Sequence, residues 1–151
     1  MVSALELNTE VAIVGAGPCG LMLAIELGCR GMPCVLLEAS LLPPKAPKAN
    51  ATSARTMEHY RRRGFAHLVR AAGLAADYPQ DVVYCTRLAG HELARFRMPS
   101  RAQAASRTEF GDYGVSAWPT PELPHRAQQI FIEPILRDQV ARLASVDARY
   151  G

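Results

Sequence analysis

A triplet of glycines, Gly15-x-Gly17-x-x-Gly20, follows directly on the apolar run Val11-Ala12-Ile13-Val14. No other feature restricts the backbone so tightly. A short, continuously apolar run reads as a strand buried on both faces. Gly15 permits a tight turn, and Gly17 lets main chain approach a bound group with no Cβ in the way. Gly20 lets the next helix lie close to the strand. Pro18 falls in the first turn of that helix, where its missing N–H is harmless. Leu21, Ala24, Ile25 and Gly28 then recur on one helical face, and Ala24 keeps the contact with the strand thin.

Gly28 to Pro33 breaks the helix, and Val35-Leu36-Leu37 is a second buried strand closed by Glu38. Strand, glycine turn, helix and strand make a βαβ crossover. Free N–H groups and the dipole at the helix start favour a diphosphate. The Glu38 carboxylate can accept from ribose hydroxyls, and it disfavours a 2′-phosphate. A purely structural glycine turn is the competing reading. The strand before, the helix after, the small Ala24, the second strand and the acid favour dinucleotide binding.

With 151 residues the chain has the size of one domain. An apolar share of 49% against 21% charged is globular composition, not that of a disordered tail. A net charge of +3 gives no nucleic-acid footprint, and Arg61-Arg62-Arg63 reads as a solvated helix end. Met1 to Glu10 has acids and no basic lead, and glycines cut the apolar run that follows, so neither a signal peptide nor a membrane span is expected. Cys19, Cys29, Cys34 and Cys85 form no C-x-x-C pair and are expected to be reduced thiols in the cytoplasm. Cys19 lies at the helix start, where a dipole can lower a thiol pKa, but a small residue at a crowded turn is the favoured reading.

Further along, Leu41 to Ala51 reads as a proline-rich extended loop. Thr52 or Ser53 caps a helix through Met57 and Tyr60 to about Arg63, stopped by Gly64. A second short helix spans Phe65 to Ala72. Asp81 to Leu88 and Glu92 to Met98 flank Ala89-Gly90-His91 as a β-hairpin. Pro99 to Pro124 shows no sustained period and reads as irregular. Pro134 opens a helix whose face holds Ile135, Leu136, Gln139, Val140 and Leu143. Val146 to Tyr150 starts a strand, read as the first half of a hairpin whose missing partner marks the chain as truncated.

At this point the residues resemble a known family. Val11 to Leu27 is similar to the opening of the single-component flavoprotein aromatic hydroxylases, with Pro18 and Leu21 typical of their glycine turn. Asn50 to Glu58 is similar to the segment that begins their flavin-side helix. Gln129-Ile130-Phe131-Ile132-Glu133-Pro134-Ile135-Leu136-Arg137 resembles their Q-x-x-x-E-x-x-L-R pattern. The resemblance implies a Rossmann-like α/β fold that binds FAD/NAD(P), with a β-hairpin excursion from an incomplete substrate domain. By it, 1–80 begins the FAD-binding domain, 81–124 opens the substrate domain, and 125–151 returns to the first.

The same resemblance implies FAD held by Gly15, Ala16, Gly17, Pro18, Cys19, Gly20, Glu38 and Ala39. Arg55 is implied near the pyrophosphate, where a guanidinium suits phosphate oxygens. Gln129, with Gln128 as fallback, is implied near the ribityl chain. A surface arginine and a helix-entry glutamine without ligand are the alternatives. Family members often carry an arginine after the acid of the second strand, where this chain has Ala39-Ser40. The family is also longer, and its later motifs for FAD and NADPH have no match here.

In that family NAD(P)H reduces the flavin, which then activates oxygen to hydroxylate a small aromatic substrate; the chemistry is the cofactor's. No residue is therefore assigned as catalytic, and His59, His67, His91 and His125 show no metal spacing. Alone, the chain is expected to be inactive and to bind FAD weakly or not at all. Two other readings are a small NAD-dependent dehydrogenase, for which a Tyr-x-x-x-Lys dyad is lacking, and a non-catalytic nucleotide-binding remnant. Oligomeric state is not legible.

Overall fold

The computed structural model describes residues 9–43, 45–46, 48–105 and 120–151. In chain order its elements are β1 (Val11–Val14), α1 (Pro18–Gly28), β2 (Cys34–Glu38), α2 (Ala54–Arg62), α3 (Ala66–Ala72), β3 (Val82–Cys85), β4 (Glu92–Phe96), α4 (Arg101–Ala105), α5 (Gln129–Ala141) and β5 (Val146–Tyr150). They divide into two units: Met1–Lys48 with Gln129–Gly151, and Ala49–Gln128. The fold class is the expected α/β, with a parallel sheet.

In the first unit the sheet runs β1-β2-β5, all parallel. Both crossovers carry a helix, and α1 and α5 pack on each other. Leu21, Ala24 and Ile25 of α1 meet Leu36 of β2 and Leu136 and Val140 of α5 in a core where all are at most 2% exposed. The approach of α1 to the start of β5 is closest at Gly28, where a Cβ would lie 2.7 Å from the Val146 side chain. Ser145 Oγ donates to Gly28 O across 117 positions of sequence.

Three expectations are corrected here. β1 is not buried on both faces: Ile13 is covered, while Val14 is 84% exposed. Successive side chains of a strand point to opposite faces: Ile13 points to the side where Gly20 of α1 approaches, and among the described residues Val14 on the other face is uncovered. β5 is not half of a hairpin; it pairs parallel with β2, Cys34 opposite Val146 through Glu38 opposite Tyr150. And α5 does not open at Pro134 but at Gln129, so its buried face is Gln129, Ile132, Glu133, Leu136 and Val140. Pro134 costs the helix one hydrogen bond, which the packing of the first turn offsets.

The second unit follows its signals closely. Ser53 Oγ accepts from Thr56 N at 3.1 Å and caps α2, and Gly64 ends it at φ +84°. Met57, Tyr60 and Val69 form its core, with the Tyr60 and Phe65 rings 5.0 Å apart. Thr52 bridges His125 instead of capping. β3 and β4 form the hairpin, shorter than its sequence pattern and exposed along both strands. The Arg126 guanidinium, donating to Gln80 O and Asp81 O, holds its root. Part of the stretch read as irregular is helical: in α4, Gln103 N donates to Ser100 Oγ and Ser100 N to Gln103 Oε1, a reciprocal cap. The rest of that stretch over 106–119, the leader reading over 1–8, and Pro44 and Pro47 of the loop lie outside the described residues.

Candidate functional site

Both helices of the first unit run antiparallel to its strands, so the N-termini of α1 and α5 stand at the carboxyl ends of β1, β2 and β5. Open α/β sheets bind ligands at that edge.

The glycine turn has a built side and an open side. Gly15 takes φ +100°, and its N–H donates to Leu37 O at 2.7 Å, tying the turn to β2. A Cβ on Gly20 would stand 2.0 Å from Gly15 O, so the helix start is pressed against the turn. Over Gly17 there is nothing within 4 Å of where a Cβ would be. Gly17 is the N-cap of α1, Pro18 its first residue, and no side chain caps it. Leu21 N already bonds to Gly17 O, whereas the amides of Cys19 and Gly20 lie in the first turn, whose donors have no helical partner. The first turn also holds no acid, so the positive end of the dipole is left for an outside anion. Cys19 is exposed and the buried Ala16 is 2% exposed.

Glu38 reaches this turn. Its Oε2 accepts from Ala16 N at 2.7 Å and its Oε1 from Ser40 N at 3.0 Å, with the exposed Ala39 between them. Those two amides, with the Arg137 charge adding, hold its carboxyl below the usual carboxylate range against a smaller effect of desolvation. An ionised acid at the tip of β2, beside an open glycine and an unpaired helix start, is arranged to accept sugar hydroxyls next to a diphosphate. The cradle over Gly17 is what a pyrophosphate requires, and the residues present fit the adenosine diphosphate part of FAD.

Gln129 is the first residue of α5, 9% exposed, and its Nε2 donates to Glu133. Gln128 is exposed. Arg55 belongs to the second unit, where its exposed guanidinium pairs with Glu58 at 2.8 Å. Together with His59, Arg61, Arg62 and Pro121 these two line an open hollow of about 600 Å³.

Sequence reasoning passed over the group around Glu38. Arg137 lies 4.4 Å over the Tyr150 ring and donates to Leu41 O at 2.9 Å. Burial raises the Tyr150 hydroxyl pKa, partly offset by Arg137. Only the parallel register of β2 and β5 brings Tyr150 beside Glu38, and no local pattern reports it. Among the described residues no group of three or more His, Cys, Asp or Glu could hold a metal, and no helix is long and apolar enough to cross a membrane.

A family described as FAD binding domain matches residues 8–151. The chain is 32% identical over 129 residues to phenol 2-monooxygenase of Pseudomonas sp. (strain EST1001), covering 85% of this chain and 20% of that protein. It is 32% identical over 146 residues to 2,4-dichlorophenol 6-monooxygenase of Delftia acidovorans, covering 95% and 23%. Among solved structures, the flavin-dependent monooxygenase PieE in complex with FAD and substrate superposes with a TM-score of 0.78 at 26% identity, over 97% of this chain and 24% of that one. The chain therefore spans under a quarter of the length of the relatives described here.

Proposed function

The chain belongs to the FAD-binding domain family, and from that premise we propose that it is the adenosine-side half of the flavin site of an NAD(P)H-dependent monooxygenase acting on a small phenolic or related aromatic substrate. The observation that carries the site is Glu38 Oε2 on Ala16 N beside the open space over Gly17. The names of the relatives, two of them phenol hydroxylases, support the substrate class. A probable NADH-specific resorcinol 4-hydroxylase from Rhodococcus jostii (strain RHA1), 27% identical, supports a nicotinamide reductant.

The parts divide the work. Bound FAD supplies the redox and oxygen chemistry. Gly15, Ala16, Gly17, Pro18, Cys19 and Gly20 seat the pyrophosphate on main-chain donors, and Glu38 with Ala39 receives the ribose. Gln129 faces the ribityl chain, and Arg55 serves the phosphates. The FAD-binding part is read as 1–80 and 125–151, and 81–124 as the opening of the substrate part. Four free cysteines, three of them exposed, suit a reducing cytoplasm.

Calorimetric titration of the chain with FAD, ADP, NAD and NADP tests the reading. FAD is expected to bind weakly and ADP within a few-fold of it, because the adenosine half carries the contacts. NADP should bind about tenfold more weakly than NAD, since Glu38 faces its 2′-phosphate. A stoichiometric yellow protein that survives dialysis would overturn the half-site, and equal binding of NAD and NADP would remove Glu38 from the ribose.

A further inference from the structure

Five side-chain nitrogens among the described residues are buried with no hydrogen-bond partner, and three of them fall in one neighbourhood of the second unit: Arg70 Nη1, Arg101 Nε and His125 Nε2. Main-chain bonds gather the segments that carry them. Leu74 N donates to Arg126 O at 2.9 Å, which lays the end of α3 beside His125. Ala102 N donates to Ala76 O at 2.9 Å, which ties the start of α4 to the residues just after α3. Gly73 lies so close to the imidazole that a Cβ there would stand 2.1 Å from Nε2, and Arg70 is one helical turn earlier in the chain. Both guanidiniums are near enough to His125 to act on its charge.

Cations outnumber carboxylates here. Glu122 accepts from Arg70 Nη2 and stands 3.8 Å from Arg61 Nε, so it is already shared. Arg101 has no ion-pair partner among the described residues. A buried donor left unpaired is expensive, and more so on a charged group. The three nitrogens are closed off from solvent, so bulk water does not repay that cost. Each belongs to a different side chain and brings a single N–H, with Nε2 a certain donor once the ring is protonated. Three single donors suit a small, compact acceptor, whereas a bidentate fork would suit a larger planar one.

We propose that Arg70, Arg101 and His125 form a site for one small monovalent anion, of the size of chloride or formate, that cross-links α3, α4 and the segment leading to α5. The site lies wholly within the second unit and does not rest on the flavin reading. Entry needs a local opening, and a bulky anion is excluded. Binding is coupled to a proton. Burial, Arg70 and Arg101 keep the imidazole neutral below its ordinary value of 6.5, while the carbonyls of Val69 and Arg70 work in the opposite sense. A bound anion offsets the two guanidiniums, so the native pKa of His125 rises and the anion binds more tightly as pH falls through it.

The test is thermal unfolding of the full chain in chloride, formate or gluconate, at one pH and one sodium concentration. Gluconate carries the same charge and is too large for the site. Chloride and formate should each raise Tm by about 2 °C or more over gluconate. Arg101→Met keeps the length of the stem and removes the unpaired cation, so most of that gain should disappear. Equal Tm in the three salts, or a gain that Arg101→Met leaves intact, overturns the proposal.

A second readout needs no variant. By NMR, the His125 ring should titrate at higher pH in chloride or formate than in gluconate, by roughly half a unit or more. The exposed His67 serves as the internal control and should follow one curve in all three salts. A single common curve for His125 overturns the proposal even where Arg101→Met fails to fold. A displacement of equal size at His125 and His67 is a bulk salt effect and overturns it as well.

Discussion

Gly17 and Gly20 open the same helix and have opposite surroundings. A methyl group on Gly20 would collide with Gly15 O at 2.0 Å, and backbone cannot step aside as a flexible side chain can. Gly20→Ala is therefore expected to lower unfolding stability by about 1–3 kcal/mol, read by urea denaturation. A methyl on Gly17 meets nothing within 4 Å, and its φ of −73° suits any residue. Gly17→Ala should change stability by less than about 1 kcal/mol, yet weaken ADP binding about tenfold or more by standing where the phosphates approach. If both variants lose stability equally, the open side of the turn has been misread. Glu38 adds a second residue-level expectation. Glu38→Gln keeps the shape but lacks the charge, so the preference for NAD over NADP should shrink severalfold in the same titration.

Among the elements, those fixed by local chemistry were legible and those fixed by distant contacts were not. The strand–glycine–helix–strand run, Ser53 as a cap, Gly64 as a stop and the hairpin were each readable because neighbours in sequence determine them. The Ser100-x-x-Gln103 cap of α4 was also readable and was passed over in a stretch without periodicity. The start of α5 was not, because a proline inside a helix is tolerated only when tertiary packing holds the preceding turn, as the burial of Ile132 and Glu133 does here. The same holds for the site: the glycines and Glu38 stand in one motif, whereas Tyr150 reaches Glu38 only through strand pairing. Pro134 is exposed and removes the N–H that would bond to Ile130 O. Pro134→Ala should therefore stabilise the chain, by about 1–2 kcal/mol after the local relaxation that the native turn has already made. Thermal unfolding would show it as a raised Tm, and a lowered Tm would mean that the proline fixes the turn.

At the scale of the molecule, the acid-side stability depends on a buried imidazole. His125 is 3% exposed. Burial, with the charges of Arg70 and Arg101 adding, lowers its pKa from the ordinary value of 6.5. The native state holds it neutral, so the unfolded chain binds the proton more readily. Its contribution is complete above pH 6.5 and is lost progressively as pH falls from there to the depressed native value. Glu38, also depressed, acts in a lower window, below the usual carboxylate value. Denaturation measured at several pH values should show stability falling below 6.5. His125→Gln should flatten that slope near neutrality and leave the more acidic decline in place.

The hairpin of β3 and β4 is exposed on every residue of both strands, and its root is held by Arg126. Among the described residues no side chain of this ribbon is buried, so its outward chemistry can change at little cost to the packing described above. Relatives that share the glycine turn are thus free to diverge here first. Sequence drift along this ribbon should cost little stability, whereas drift at Leu21, Ala24, Ile25 and Gly28, the buried face of α1, should track whether the chain folds.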